Sequence, residues 1–279
     1  MPPPACPLTA PLGSPLGALL GTPIRHLAAV GSTMTEAAAW AAAGAPHGAV
    51  VVADVQTAGR GRHGRAWTAA PGESLLLSVV LRPTLRPERL ALVGLAAGLA
   101  AAEAAEALGC AARIKWPNDV LARGADGRLA KLAGVLAEAS WTRAPEMRAP
   151  KTGRAPCVVL GLGLNVRQTA FPDGLAATSL RIATGRDIDS LAPLDPFLNR
   201  LAERLADAER DPDRLLAAVA ARLVGVGETR TVRFPGTDRP ALSGTVVGLA
   251  TDGALRLATD AGERTVHAGE VTLASGTAP

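Results

Sequence analysis

Tyrosine is absent from the 279-residue chain, which holds only three phenylalanines and four tryptophans. So sparse an aromatic set lacks the stacking platforms that RNA-binding modules need. The three cysteines, Cys6, Cys110 and Cys157, are odd in number and have no metal-ligand spacing. That argues against a disulfide framework and fits a reducing, cytoplasmic setting. No basic start precedes the Pro-, Leu- and Ala-rich residues 1–23, and prolines interrupt the apolar run, so no signal peptide is expected. Residues 90–108 are apolar but include Glu103 and Glu106, and they read as a buried helix, not a membrane span. The formal charge of +4 fits anionic partners and ordinary surface charge equally well.

What is present is apolar: 48% of the residues, enough for a sizeable core and too many for a disordered chain. Residues 1–22 read as a flexible extension. Residues 33–43 (TMTEAAAWAAA) predict a helix capped by Ser32 or Thr33, with Glu36 in its first turn. Residues 49–55 predict a short strand that runs into a Gly/Arg loop at 59–65. Residues 74–81 (SLLLSVVL) predict a fully apolar strand. After turn signals at Pro83 and Pro87, a long helix is expected from about 88 to 108, stopped at Gly109. Two strands near 111–116 and 130–138 follow, separated by a polar turn at 123–128. A Pro-rich loop at 142–156 then leads to a strand at 157–164 and helices near 196–209 and 213–223. From 229 to 273 short alternating runs, divided by Pro-Gly and Asp-Gly turns, predict a small β-barrel. The expected organisation is an extension (1–22), an α/β domain (23–226) and a β-rich C-terminal domain (227–279).

A second scarcity locates a site. The only lysines are Lys115, Lys131 and Lys151, the only asparagines Asn118, Asn165 and Asn199, and the only glutamines Gln56 and Gln168. Five of these eight, Gln56, Lys115, Asn118, Lys131 and Asn165, fall at strand ends or in adjoining loops. A composition that favours Arg and Ala keeps Lys or Asn where the substitute cannot do the same chemistry.

Five segments carry distinct chemistry. In QTAGRGRHGR, residues 56–65, Gly59, Gly61 and Gly64 expose backbone N–H groups, and Arg60, Arg62 and Arg65 add donors for phosphate oxygens. It is not a Walker A loop, and in isolation it also fits a solvated basic loop or an RNA-binding Gly/Arg box. In RIKWPND, residues 113–119, Asn118 and Asp119 can orient a nucleotide or hold Mg²⁺ through hard oxygen ligands; Asn-Asp alone is also a common turn pair. Lys131 stands by itself at the start of the apolar run 131–138. There it can neutralise a reacting anion or simply snorkel to the surface. Gly134 would let a ligand lie against the backbone. Asn165 ends the apolar GLGLN run, and Ser32 and Thr33 precede the first helix as caps or as ligand contacts.

In order, spacing and wording, GRGRHGR, KWPND and KLAGVL resemble the biotin protein ligase family, over residues 25 to about 273. The resemblance implies a mixed α/β fold of the class II synthetase-like kind with a C-terminal SH3-like barrel. It implies that Ser32, Thr33, Met34 and Gln56 meet the biotin rings, with Met34 standing where the family often has Asn. Gly59, Arg60, Gly61, Arg62 and Lys131 would hold the biotin carboxylate, and Trp67, Gly134 and Val135 would wall the pocket. Arg62, Arg65, Lys115, Asn118, Lys131 and Asn165 would surround ATP, Asp119 would meet Mg²⁺, and Lys131, Arg60 and Arg62 would carry the chemistry. The implied partner is a biotin carboxyl carrier domain of an acyl-CoA carboxylase, with neither DNA nor a membrane. The stretch before Arg25 is too short and Pro-broken for a winged helix-turn-helix. The alternatives are a lipoate or octanoate ligase of the same fold, or a basic RNA-binding module.

Overall fold

A computed structural model describes residues 20–143 and 154–272. The larger sheet is built from β1 (Ile24–Leu27), β2 (Val50–Ala53), β3 (Ser74–Leu81), β4 (Ala112–Lys115), β5 (Asp119–Arg123), β6 (Leu129–Arg143) and β7 (Arg154–Asn165). Their order is β1-β2-β3-β7-β6-β5-β4. Only β1 and β2 run parallel; the other pairs are antiparallel. Every residue of β3 is buried, one face under a helix and the other, with Leu75, Leu77, Val79 and Leu81, in the main apolar core, and strands buried on both faces read as continuous apolar runs. Helix α1 (Thr33–Ala42) packs on β3 and β7, while α2 (Ala91–Ala107) lies against β4, β5 and β6.

The alanine-rich α2 has twelve of its seventeen residues buried. Alanine is the best helix former and its small side chain lets neighbours approach closely. That explains how an apolar stretch long enough to span a membrane serves here as a core helix. Leu92 and Leu99, both fully buried, each contribute about 1.5–3 kcal/mol of apolar burial. Helices α4 (Leu194–Arg210) and α5 (Pro212–Ala220) flank α2, after the short α3 (Leu180–Thr184). Ion pairs fasten this layer: Arg204 to Glu103 at 3.0 Å and Arg222 to Glu106 at 2.8 Å.

Strands β8 (Thr229–Arg233), β9 (Leu242–Leu249), β10 (Leu255–Thr259), β11 (Gly262–Val266) and β12 (Glu270–Thr272) form a second sheet in the order β11-β10-β9-β8-β12. Cys110 and Cys157 are free thiols in the interior, and burial pushes Cys110 up to about 11.

Several elements differ from the sequence expectations. β5 fills part of the stretch between the two strands expected near 111–116 and 130–138. It starts on the Asp119 of KWPND and ends at a Gly turn, and so short a run has no period of its own. β1 and α3, of four and five residues, were below the same threshold. β6 and β7 pair as far as Arg143 and Arg154, so both strands enter the Pro-rich segment expected as loop; residues 144–153 lie outside the described residues. The last alternating run divides into β11 and β12. Of the expected 1–22 extension, residues 1–19 lie outside the described residues. Leu20 is buried, and the Gly21 N–H donates to the Gly48 carbonyl at 2.8 Å.

Candidate active site

A cavity of about 460 Å³ opens over the larger sheet. Its walls hold Thr33, Met34, Gln56, Arg60, Gly61, Arg62, Arg65, Trp67, Lys115, Asn118, Asp119, Lys131, Gly134, Val135 and Asn165. Residues scattered over 130 positions of sequence therefore meet in one place. Of the residues singled out by sequence, Ser32, Gly59 and Gly64 are not in that wall. Gly59 lies just behind it: its carbonyl accepts from the Trp67 N–H at 3.0 Å, and a β-carbon there would overlap the Trp67 carbonyl.

At one end, two elements converge through a chain of hydrogen bonds. Ser78, at the centre of β3, donates to the Thr33 hydroxyl at 2.8 Å, which donates to Gln56 Oε1 at 3.0 Å. The Thr33 N–H also donates to Gln56 Oε1, at 2.7 Å. With that oxygen doubly engaged, Gln56 has its Nε2 donors left for a ligand. Ser32 occupies the N-cap of α1, yet its side chain caps nothing. Its hydroxyl is buried and has no partner among the described residues.

Glycines shape the floor. Gly134 and Gly163 are directly paired across β6 and β7, and the Trp67 indole lies over both: a β-carbon on Gly134 would come within 3.2 Å of the ring, and one on Gly163 would overlap it. The space read from sequence as room for a ligand beside Gly134 is therefore shared by the Lys131 side chain and Trp67. The indole N–H is buried without a partner among the described residues. Met34 fills the equivalent space above Gly161, where a β-carbon would stand 2.7 Å from the sulfur.

The other end is cationic. Lys131 pairs with Leu121 immediately beside a register shift between β5 and β6 that leaves Leu132 without a partner across the strands. Such a bulge re-aims a side chain; here Lys131 Nζ meets Asp119 Oδ1 at 2.6 Å, and Lys115 stands 3.7 Å from the second oxygen. Asn118 accepts from Arg62 at 3.2 Å and donates to the Val135 carbonyl at 2.9 Å. Burial lowers the Arg62 pKa from its usual value, against the raising influence of Glu270 and Asp119. Five cationic side chains face only two carboxylates in the cavity wall, a balance suited to a polyanion. Asp119 is held by two lysines, and no group of three or more His, Cys, Asp or Glu side chains with metal-ligand geometry occurs among the described residues.

Sequence reasoning missed two parts of the wall. Phe171, Pro172, Leu175, Ala176 and Ala177 form an apolar rim from the segment after β7; the FPDG string at 171–174 was the available signal. Glu270 and Val271 come from β12 in the second sheet. Glu270 pairs with Arg65 and stands 3.8 Å from His63, while the Gly269 carbonyl accepts from Arg62 at 3.4 Å. Nothing in the alternating run of β12 marked it as part of a site.

Residues 27–149 match the Biotin/lipoate A/B protein ligase family, and residues 230–273 match the Biotin protein ligase C terminal domain. A biotin--[acetyl-CoA-carboxylase] ligase from Mycobacterium tuberculosis is 37% identical over 258 residues, covering 88% of this chain and 86% of that protein. The bifunctional ligase/repressor BirA of Bacillus spizizenii is 33% identical, over 88% of this chain and 72% of its own length. Among solved structures, a biotin protein ligase from Aquifex aeolicus in complex with biotin and ATP superposes with a TM-score of 0.72 at 28% identity, covering 89% of this chain and 97% of that one. The chain belongs to the biotin protein ligase family.

Proposed function

We propose that this protein activates biotin with ATP and transfers it to a lysine of a biotin carboxyl carrier domain of an acyl-CoA carboxylase, in the cytoplasm. The observation that carries the reading is the shape of one cavity. An amide-and-hydroxyl end built on Thr33 and Gln56 runs into a cationic end built on Lys131, Lys115 and Arg62. A ligand with a polar ring system at one end and a carboxylate at the other matches both ends. The Aquifex relative is described with biotin and ATP bound, and the Mycobacterium relative is named as a ligase of acetyl-CoA carboxylase.

In the first step a carboxylate oxygen of biotin attacks the α-phosphorus of ATP and pyrophosphate leaves, giving biotinyl-5′-AMP. In the second, the carrier amine attacks the acyl carbon and AMP leaves. No side chain needs to act as nucleophile; position and charge neutralisation supply the catalysis. Lys131 moves from Asp119 to the anionic centre shared by carboxylate and α-phosphate. Arg62, Arg65, Lys115 and Asn118 hold the phosphates, and Arg60 joins Arg62 over the intermediate. Ser32, Gln56 and the Thr33 hydroxyl bind the ring end, where Met34 supplies an apolar contact in place of an amide. Trp67, resting on Gly134 and Gly163, forms a wall together with Val135. Asp119, once Lys131 turns away, would hold Mg²⁺ beside the nucleotide phosphates, since ions of this kind are held mainly by phosphates and one or two carboxylates, and the ion would neutralise phosphate charge.

The test is ATP–pyrophosphate exchange with biotin, lipoate or octanoate as the acid. Exchange with biotin alone is the expected result. Exchange driven by lipoate or octanoate and not by biotin would overturn the assignment.

A further inference from the structure

Gln168, one of two glutamines in the chain, lies beside the cavity and not in its wall. It is 4% exposed, and its Nε2 donates twice: to the Ser74 hydroxyl at 2.7 Å and to Asn165 Oδ1 at 3.3 Å. Its carbonyl accepts from Ser179 at 2.5 Å. Its own Oε1 is buried with no partner among the described residues. A buried amide that leaves one acceptor unpaired, while both its protons are committed, is kept for what the donors hold.

What they hold is the fork where β6 leaves β7. The β6–β7 ladder begins at Ala133 paired with Leu164, so Lys131 is already beyond it. Instead, the Lys131 N–H donates to the Ala176 carbonyl at 2.9 Å, and its carbonyl accepts from the Thr178 N–H at 2.9 Å. Asn165 closes the fork. Its Nδ2 donates to the Thr178 carbonyl at 3.0 Å and to the Lys131 carbonyl at 3.4 Å. That works only while the amide nitrogen, and not the amide oxygen, faces the two carbonyls. The proton donated by Gln168 to Oδ1 decides the orientation, since only a donor can sit on that side.

We propose that Gln168 is a positioning residue for adenylate formation, which orients the Asn165 amide and through it the backbone of Lys131. This rests on the reading of Lys131 given above. Leucine at 168 would fill the volume without donors; glutamate would match the shape but, ionised, could only accept.

The experiment compares Gln168→Leu, Gln168→Glu, Asn165→Ala, their double variant Gln168→Leu/Asn165→Ala, and Lys131→Ala, in the full chain. Single-turnover biotinyl-adenylate formation and biotin affinity are measured for each. Gln168→Leu is expected to adenylate about tenfold more slowly with biotin Kd unchanged within twofold, and the double variant to be no slower than the worse single one. Gln168→Glu keeps the shape and serves if the leucine variant does not fold. It is expected to recover rate relative to the parent as pH falls, because the protonated acid donates again and burial favours that form. Packing alone would not produce that recovery. Adenylation within twofold of the parent in both Gln168 variants, or loss of biotin affinity in proportion to rate, would overturn the proposal. If Lys131→Ala adenylates normally, the underlying reading of Lys131 fails; if it stalls while the Gln168 variants do not, only the role of Gln168 fails.

Discussion

At the scale of single residues, a charge in this cavity is set by its partner. Lys131 rests on Asp119 at 2.6 Å with both side chains less than one-third exposed. An arriving anion competes with that carboxylate. Loss of a transition-state charge donor of this kind costs about 10²-fold in rate or more. Lys131→Ala should therefore slow single-turnover adenylate formation by at least that factor, and a rate within threefold of the parent would contradict the role. Ser32 permits a cleaner separation. A working N-cap serine is worth about 1 kcal/mol of stability, but here the hydroxyl caps nothing and is buried without a partner. Ser32→Ala is expected to leave the melting temperature unchanged within about 1 °C while weakening biotin binding by about 2- to 12-fold, the worth of one hydrogen bond. Calorimetric titration beside thermal unfolding checks both halves, and a lower melting temperature with unchanged affinity would make Ser32 a cap after all.

We propose that the loop containing Arg60, Arg62 and Arg65 decides the fate of the intermediate. None of Arg62–Gly64 is buried, and His63 takes a positive φ of 55°. The loop is held from outside by Glu138 on Arg60, Asn118 and the Gly269 carbonyl on Arg62, and Glu270 on Arg65. Largely exposed ion pairs such as that of Arg60 are each worth under about 1 kcal/mol, so the loop can open and close as ligands come and go. Closed, it would keep water from the mixed anhydride until the carrier amine arrives. One lost charge-assisted contact, at about 1.5–3 kcal/mol, would speed escape of the adenylate by roughly 10- to 150-fold. Arg62→Gly should still make adenylate but release it, biotinylating an unrelated lysine-rich protein mixed with the enzyme, biotin and ATP. A blot showing no such labelling, with adenylate synthesis intact, would sink the lid role.

Across the whole molecule, the second sheet is seated on the first by a small set of contacts. The Trp116 indole N–H donates to the Gly253 carbonyl at 3.1 Å, and both groups are buried. A β-carbon on Gly253 would lie 2.7 Å from Leu95 of α2, and the residue's φ of +86° suits glycine. Gly253→Ala should destabilise the protein by about 1–3 kcal/mol through overpacking and backbone strain. The check is chemical denaturation with and without biotin plus ATP. A midpoint equal to the parent's would show that the seat tolerates the methyl group.

Local order determined much of this protein. The continuous apolar run of β3, the helix former run of α2, and the retention of Lys115, Asn118, Lys131, Asn165 and Gln56 are properties of short stretches, and each was legible along the chain. So was the family resemblance, because its motifs are contiguous strings. Only the tertiary structure decided which of these groups share a partner. That Asp119 holds two lysines, that Gly134 and Gly163 make room for Trp67, and that Gln168 ties Asn165 to Ser74, its partner across β3 and β7, are consequences of strand register. The five-residue β5 and the wall supplied by Glu270 were hidden for the same reason. A short strand forms because its neighbours complete its hydrogen bonds, and a carboxylate becomes part of a site because a fold carries it there. Neither cause is written in the residues beside it.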